Sequence, residues 1–257
     1  MPFTPAHAAA VLPVCAVARR LGLRLPLSAL VIGSMAPDFE YFFRLKPYGR
    51  FGHSPLGLLV FSLPVGLAAW IMFRGLVAPA LLRLLPPGLA AALWNGRTRA
   101  SPAALVGLAA VAVLVGAMTH AVWDLFTHGG QTISTLLPVI RERVAPTVMP
   151  RLRWYTVLQY VSTIVGLAII GVASVRWVLR QPSEARRFAP GQPLHSLGVV
   201  AFLIASAAVG GVVNALRGVA GGIFTALAFG AVGGMVALTI ALIAYGVVVF
   251  GAPSRVE

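Results

Sequence analysis

His120, Asp124 and His128 stand four residues apart at the end of a long apolar run. On a helix, positions i, i+4 and i+8 share a face, so the three side chains can converge on one object. Two imidazoles and a carboxylate at a membrane boundary are costly unless something holds them, and a cation is the usual partner. Gly129 and Gly130 follow, offering the left-handed residue that ends helices. Upstream, short polar islands hold three more residues of the same chemistry: His7, Asp38 and His53. The chain's two aspartates both fall in this set. Imidazole and carboxylate without thiolate suit zinc, manganese or iron in a hydrolytic site. The groups outnumber the ligands one catalytic metal takes. Two metals sharing an aspartate are therefore plausible, and paired metals suit phosphoester cleavage.

The elements that must position these residues follow from composition. Of 257 residues, 59% are hydrophobic and 10% charged, far below the roughly one-quarter charged content of soluble domains. This is the composition of an all-α, polytopic integral membrane protein. The single cysteine, Cys15, excludes an internal disulfide and a cysteine-based metal site. The net charge of +14 is carried between apolar runs, where membrane lipids with anionic headgroups are the partner. No basic face interleaved with aromatics marks a nucleic-acid binder. The first charged residue is Arg19, so the N-terminus lacks the basic start of a cleavable signal peptide.

Taken in order, Thr4-Pro5 reads as a helix cap and first-turn proline, placing His7 in the first turn of a helix that runs to about Arg20. A second apolar piece, 25–35, returns and stops at Ala36-Pro37-Asp38. Both pieces are shorter than the roughly 20 residues of a full span, which predicts a re-entrant or interfacial N-terminal hairpin. Residues 39–52 mix aromatics and cations as interface segments do. Ser54-Pro55 launches a first span at 54–73, with Pro64 as a kink, and 76–93 reads as a short interfacial helix. Ser101-Pro102 starts a second span at 103–123. Spans at 154–176, 195–216 and 222–249 complete a set of about five. One crossing each way brings the islands at His53 and at His120/Asp124 to the same face, and the hairpin adds His7 and Asp38. The arginines are nearly balanced between faces, and Arg19, Arg20 and Arg24 at the hairpin tip assign the opposite face to the cytoplasm.

Each signal also has a plainer reading. Glu40 stands one turn from Arg44 and reads first as its ion-pair partner, with a place at the rim of the site as the alternative. His128 reads equally as a ligand or as a helix-end cation. Thr4, Ser54 and Ser101 read as caps. Trp123 and Phe126 read as interface anchors. His195 begins a span outside every island and reads as structural.

Thr-Pro-Ala-His7, Gly-Ser-Met-Ala-Pro-Asp38, Gly-His53-Ser and His120-x-x-x-Asp-x-x-Thr-His closely resemble the family of bacterial membrane proteins termed domain of unknown function 4184. The resemblance covers residues 1 to about 180 and leaves 181–257 as two additional C-terminal helices. That family is similar to proteins described as membrane-bound metal-dependent hydrolases of the bacterial inner membrane. More remotely, an Asp, a His about fifteen residues on and a later His-x-x-x-Asp resemble the ligands of zinc-dependent phospholipase C. Carried over by position, the resemblance implies Asp38, His53, His120 and Asp124 around one metal. It implies His7 with Asp124 at a second, and His128 at a third. The chain departs from the remote pattern in lacking a His-x-x-x-Glu pair after His128. The resemblance thus implies a divalent metal, zinc foremost; the paired-metal chemistry itself points to a phosphoester substrate, lipid-linked if the site lies at headgroup depth. The alternative is a non-enzymatic membrane protein with a structural metal or a His/Asp hydrogen-bond site.

Overall fold

A computed structural model describes residues 3–95, 100–128, 137–145 and 149–251. The chain is an all-α, multi-pass membrane protein, and among the described residues five helices are long and apolar enough to cross a bilayer. They are α4 (Pro55–Leu82), α6 (Pro102–Thr127), α7 (Trp154–Leu179), α8 (Gln192–Leu216) and α9 (Ile223–Gly251). The shorter helices are α1 (Val11–Arg20), α2 (Leu27–Gly33), α3 (Phe39–Arg44) and α5 (Pro87–Asn95). Their outward faces carry the large apolar residues that a water-soluble protein would bury. Ile164, Ile204 and Phe224 are 69%, 65% and 73% exposed, as expected where lipid is the solvent.

The N-terminal hairpin forms as expected, with one change of geometry. Thr4–Ala10 is a 3-10 helix that leads into α1, and α2 is followed by a 3-10 turn at Ala36–Asp38. Gly22, with φ +78, supplies the left-handed residue that ends α1, and the Leu23 amide reaches back to the Ala18 carbonyl. The expected break near residue 73 is absent: α4 runs unbroken to Leu82. Two π-helical stretches, Leu58–Ser62 and Phe73–Val77, stand just before Pro64 and Pro79. A widened turn absorbs the missing proline N–H and the ring's clash with the preceding turn, so the prolines bend the helix without ending it. Residues 143–153, expected as loop, contain a two-stranded antiparallel ribbon, β1 (Arg143–Ala145) and β2 (Met149–Arg153). The expected cap at Gly129 and Gly130 lies outside the described residues.

The chain forms two compact units. The first comprises residues 1–38, 51–67 and 98–177; the second comprises 39–50, 68–97 and 178–257. In the first, α2 packs against α6 at backbone distance. Gly33 faces the Val113 carbonyl, and Gly116 faces the Leu30 carbonyl and the Ser34 amide, where any Cβ would collide. Ala29, Ala36, Ala109 and Ala112 fill the rest of this seam and are fully buried. In the second unit, α8 and α9 pack through Gly210, Gly211, Gly230, Gly233 and Gly234.

Candidate metal centre

Four separate stretches of the first unit bring His7, Asp38, His53, His120 and Asp124 into one cluster. The 3-10 helix supplies His7, and the turn after α2 supplies Asp38. His53 precedes α4, where the Ser54 side chain accepts from the Gly57 amide at 3.0 Å, the cap expected from the sequence. The Ser62 hydroxyl also donates to the Gly52 carbonyl at 3.0 Å, fixing the backbone beside His53. His120 and Asp124 occupy the last two turns of α6 and are 1% and 3% exposed.

The donor atoms form two triangles on a shared edge. His53 Nε2 and His120 Nε2 stand 3.2 Å apart. Asp124 Oδ2 lies 3.4 Å from the first and 3.3 Å from the second. On the same edge, Asp38 Oδ1 lies 3.2 Å from His53 Nε2 and 3.6 Å from His120 Nε2. Ligands bound at 2.0–2.1 Å around a tetrahedral ion stand about 3.3–3.4 Å apart, so each triangle has the spacing of one face of such a site. The other Asp124 oxygen faces a different set. Oδ1 is 3.8 Å from His7 Nε2 and 3.5 Å from His128 Nδ1. Asp124 therefore presents one oxygen to each of two groups of imidazoles, as a bridging carboxylate does. The His7 ring stacks on His120 with centroids 3.8 Å apart.

Three partners outside the cluster aim these ligands. His120 Nδ1 is 2.7 Å from the Ser34 carbonyl, which can only accept, so the Nδ1–H donates and Nε2 turns to the cluster. That contact depends on the glycine-lined seam between α2 and α6. The Thr4 hydroxyl donates to Asp38 Oδ2 at 2.6 Å, leaving Oδ1 for the cluster. The Thr127 hydroxyl lies 3.4 Å from Asp124 Oδ1, and Gln159 of α7 donates to the Thr127 carbonyl at 2.6 Å.

The residues fit a divalent cation. Asp38 Oδ1 is buried and accepts no hydrogen bond from any described residue, although His53 Nε2 is close by. Such an atom is costly unless an ion completes it. With a metal bound the imidazoles would be neutral ligands and the two aspartates would bring −2, which a divalent ion offsets. Burial, reinforced by positive charge on the His120 imidazole, pushes His7 down to about 3, so that it is neutral. Burial opposes ionisation of Asp38, but the imidazoles of His120 and His53 outweigh it and hold the carboxyl below its ordinary value. Burial also lowers His128.

Two expectations change here. Thr4 is no cap: the 3-10 helix starts from Phe3 without a side-chain bond, and the Thr4 hydroxyl is committed to Asp38. The Thr-Pro spacing that imitates a cap is thus the trace of a positioning residue that sequence reasoning missed. His128 does not continue the i, i+4, i+8 face. α6 ends at Thr127, and His128 has extended backbone (φ −128, ψ 126). Its Nδ1 still lies 3.3 Å from the Asp124 carbonyl, and its side chain is 26% exposed, so it sits at the open edge of the cluster. Glu40 belongs to the second unit and pairs with Arg44 at 2.7 Å, the ion pair expected from their spacing. His195 is exposed at the start of α8.

No curated protein and no solved structure matches the chain. The family model described as a domain of unknown function, DUF4184, matches residues 1–250, and the chain belongs to that family.

Proposed function

We propose that the cluster is the metal centre of a membrane-embedded hydrolase acting on a phosphoester, lipid-linked in its natural substrate. The observation that supports this reading best is the placement of the two Asp124 oxygens, Oδ2 facing His53 and His120 while Oδ1 faces His7 and His128. Asp38, His53, His120 and Asp124 would hold one divalent metal, zinc foremost and manganese or iron as alternatives. His7 and His128 would share Asp124 with a second. When bound, such metals polarise a phosphoryl oxygen and acidify water. The protein's own part is to hold the ligands in place. Ser34 and Thr4 fix His120 and Asp38 by the bonds described above, so neither rotates as charge develops. His128 turns Nδ1 toward Asp124 and, with its side chain 26% exposed, stands at the open edge by which a substrate would enter. The setting is the bacterial inner membrane, since outer-membrane spans are built as closed barrels and these are helices.

The depth of Asp38 and His120, 0% and 1% exposed, favours a second reading in which the same ligands form a closed structural metal site. Elemental analysis of detergent-purified protein tests both. Wild type should carry one or two equivalents of zinc or manganese, lost in Asp124→Ala and His53→Ala. Hydrolysis of phosphodiester and phospholipid substrates by the loaded wild type separates the catalytic from the structural reading. A folded wild type that takes up no metal overturns both.

A further inference from the structure

The second unit carries a cationic, aromatic segment that the metal centre does not use. Arg44, Lys46 and Arg50 are exposed, and so are Phe43 (72%) and Tyr48 (56%). The Lys46 ammonium lies 5.9 Å from the Tyr48 ring centre. A fourth cation arrives from far along the chain. Arg217, in the turn after α8, reaches the Leu45 carbonyl at 3.4 Å and the Asn214 side-chain oxygen at 2.9 Å. Buried Asn214 donates to the same Leu45 carbonyl at 3.2 Å and to the Phe229 carbonyl at 2.6 Å. Leu45 is held at φ +50, the one described non-glycine residue with a positive φ, and this directs its carbonyl into the clamp. Gly49 lies against the Glu40 carboxyl, where a Cβ would collide. The segment is thus held at both ends, and Arg44 and Arg217 are positioned by bonds. Glu40 offsets Arg44 at 2.7 Å, so three positive charges remain in excess.

We propose that residues 43–50, together with Arg217, form a binding surface for the headgroup of an anionic phospholipid. Exposed aromatics set the segment at the depth of the headgroups, and the uncompensated cations select a negative one. Arginine offers paired donors to a phosphate, and lysine a compact charge beside it.

The test uses full-length protein in detergent with a phospholipid added as phosphatidylglycerol or phosphatidylcholine, scored by lipid retained in native mass spectrometry. Wild type should retain phosphatidylglycerol preferentially. Lys46→Gln/Arg50→Gln leaves the Asn214 clamp intact and should cut that preference by about fivefold per cation removed. Arg176→Gln/Arg180→Gln removes equal charge from the exposed C-terminal end of α7 and should leave it unchanged. No preference in wild type, or an equal loss in both double variants, overturns the proposal. So does displacement of the lipid by millimolar inorganic phosphate, which would mark a free-anion site.

Discussion

Two buried polar arrangements, Asn214 in the second unit and the His/Asp cluster in the first, are built in opposite ways. In the second unit, Asn214 is 4% exposed and every polar atom of its side chain is matched: the amide nitrogen donates to two carbonyls and the oxygen accepts from Arg217. In the first unit, like atoms face one another. Two imidazole nitrogens stand 3.2 Å apart, and a buried carboxylate oxygen accepts nothing from the described residues. A polar group whose bonds are complete inside the protein holds helices together; a set of imidazoles and carboxylates converging on one point has the arrangement of a metal site. Burial alone does not distinguish them, whereas the pattern of polar atoms that meet does.

The contrast can be broken most decisively at the ligands. Asp124→Ala should reduce bound metal to background, because it removes the carboxylate facing both imidazole sets. Asn214→Ala should leave metal content intact while lowering stability by about 1–2 kcal/mol, read as a shifted midpoint in denaturing-detergent titration. Equal metal loss in the two variants would erase the distinction. One step out from the ligands, Thr4→Val should weaken metal affinity about 10–100-fold, measured by competition with a chelator. Thr4→Ser keeps the donor to Asp38 and should restore binding; if it does not, Thr4 acts by packing. Gly116→Ala should cost about 1–3 kcal/mol by forcing α2 from α6, and should weaken metal binding through the Ser34–His120 bond. The smallest change is expected at His195, where alanine should alter stability by less than about 0.5 kcal/mol and metal content not at all.

Much of the site is legible because its chemistry is rare in an apolar chain. Histidine and aspartate are costly in a membrane, so their concentration near span ends marks His7, Asp38, His53, His120 and Asp124 without knowledge of the fold. The His120/Asp124 pair follows directly from helical spacing. The same spacing misplaces His128, because the end of α6 depends on local backbone that the apolar pattern does not encode. Thr4 was hidden for a related reason: a threonine before a proline reads as a cap, and only its distance from Asp38 shows where the hydroxyl goes. Pro64 marks a kink in α4, but not that π-helical turns carry the helix past it and past Pro79.

Composition and hydrophobic run length by themselves determined a multi-pass helical membrane protein with five spans, since a bilayer leaves a chain little alternative. They also determined which residues form the candidate site, because the cost of burying a polar group is a property of the residue. The tertiary structure decided which atoms meet. Whether Asp124 divides its oxygens, whether His120 turns Nε2 inward and whether Leu45 joins Asn214 and Arg217 all depend on contacts between distant segments. Those contacts are set by backbone approach at Gly33 and Gly116 and by the conformation of Leu45, which no local pattern encodes.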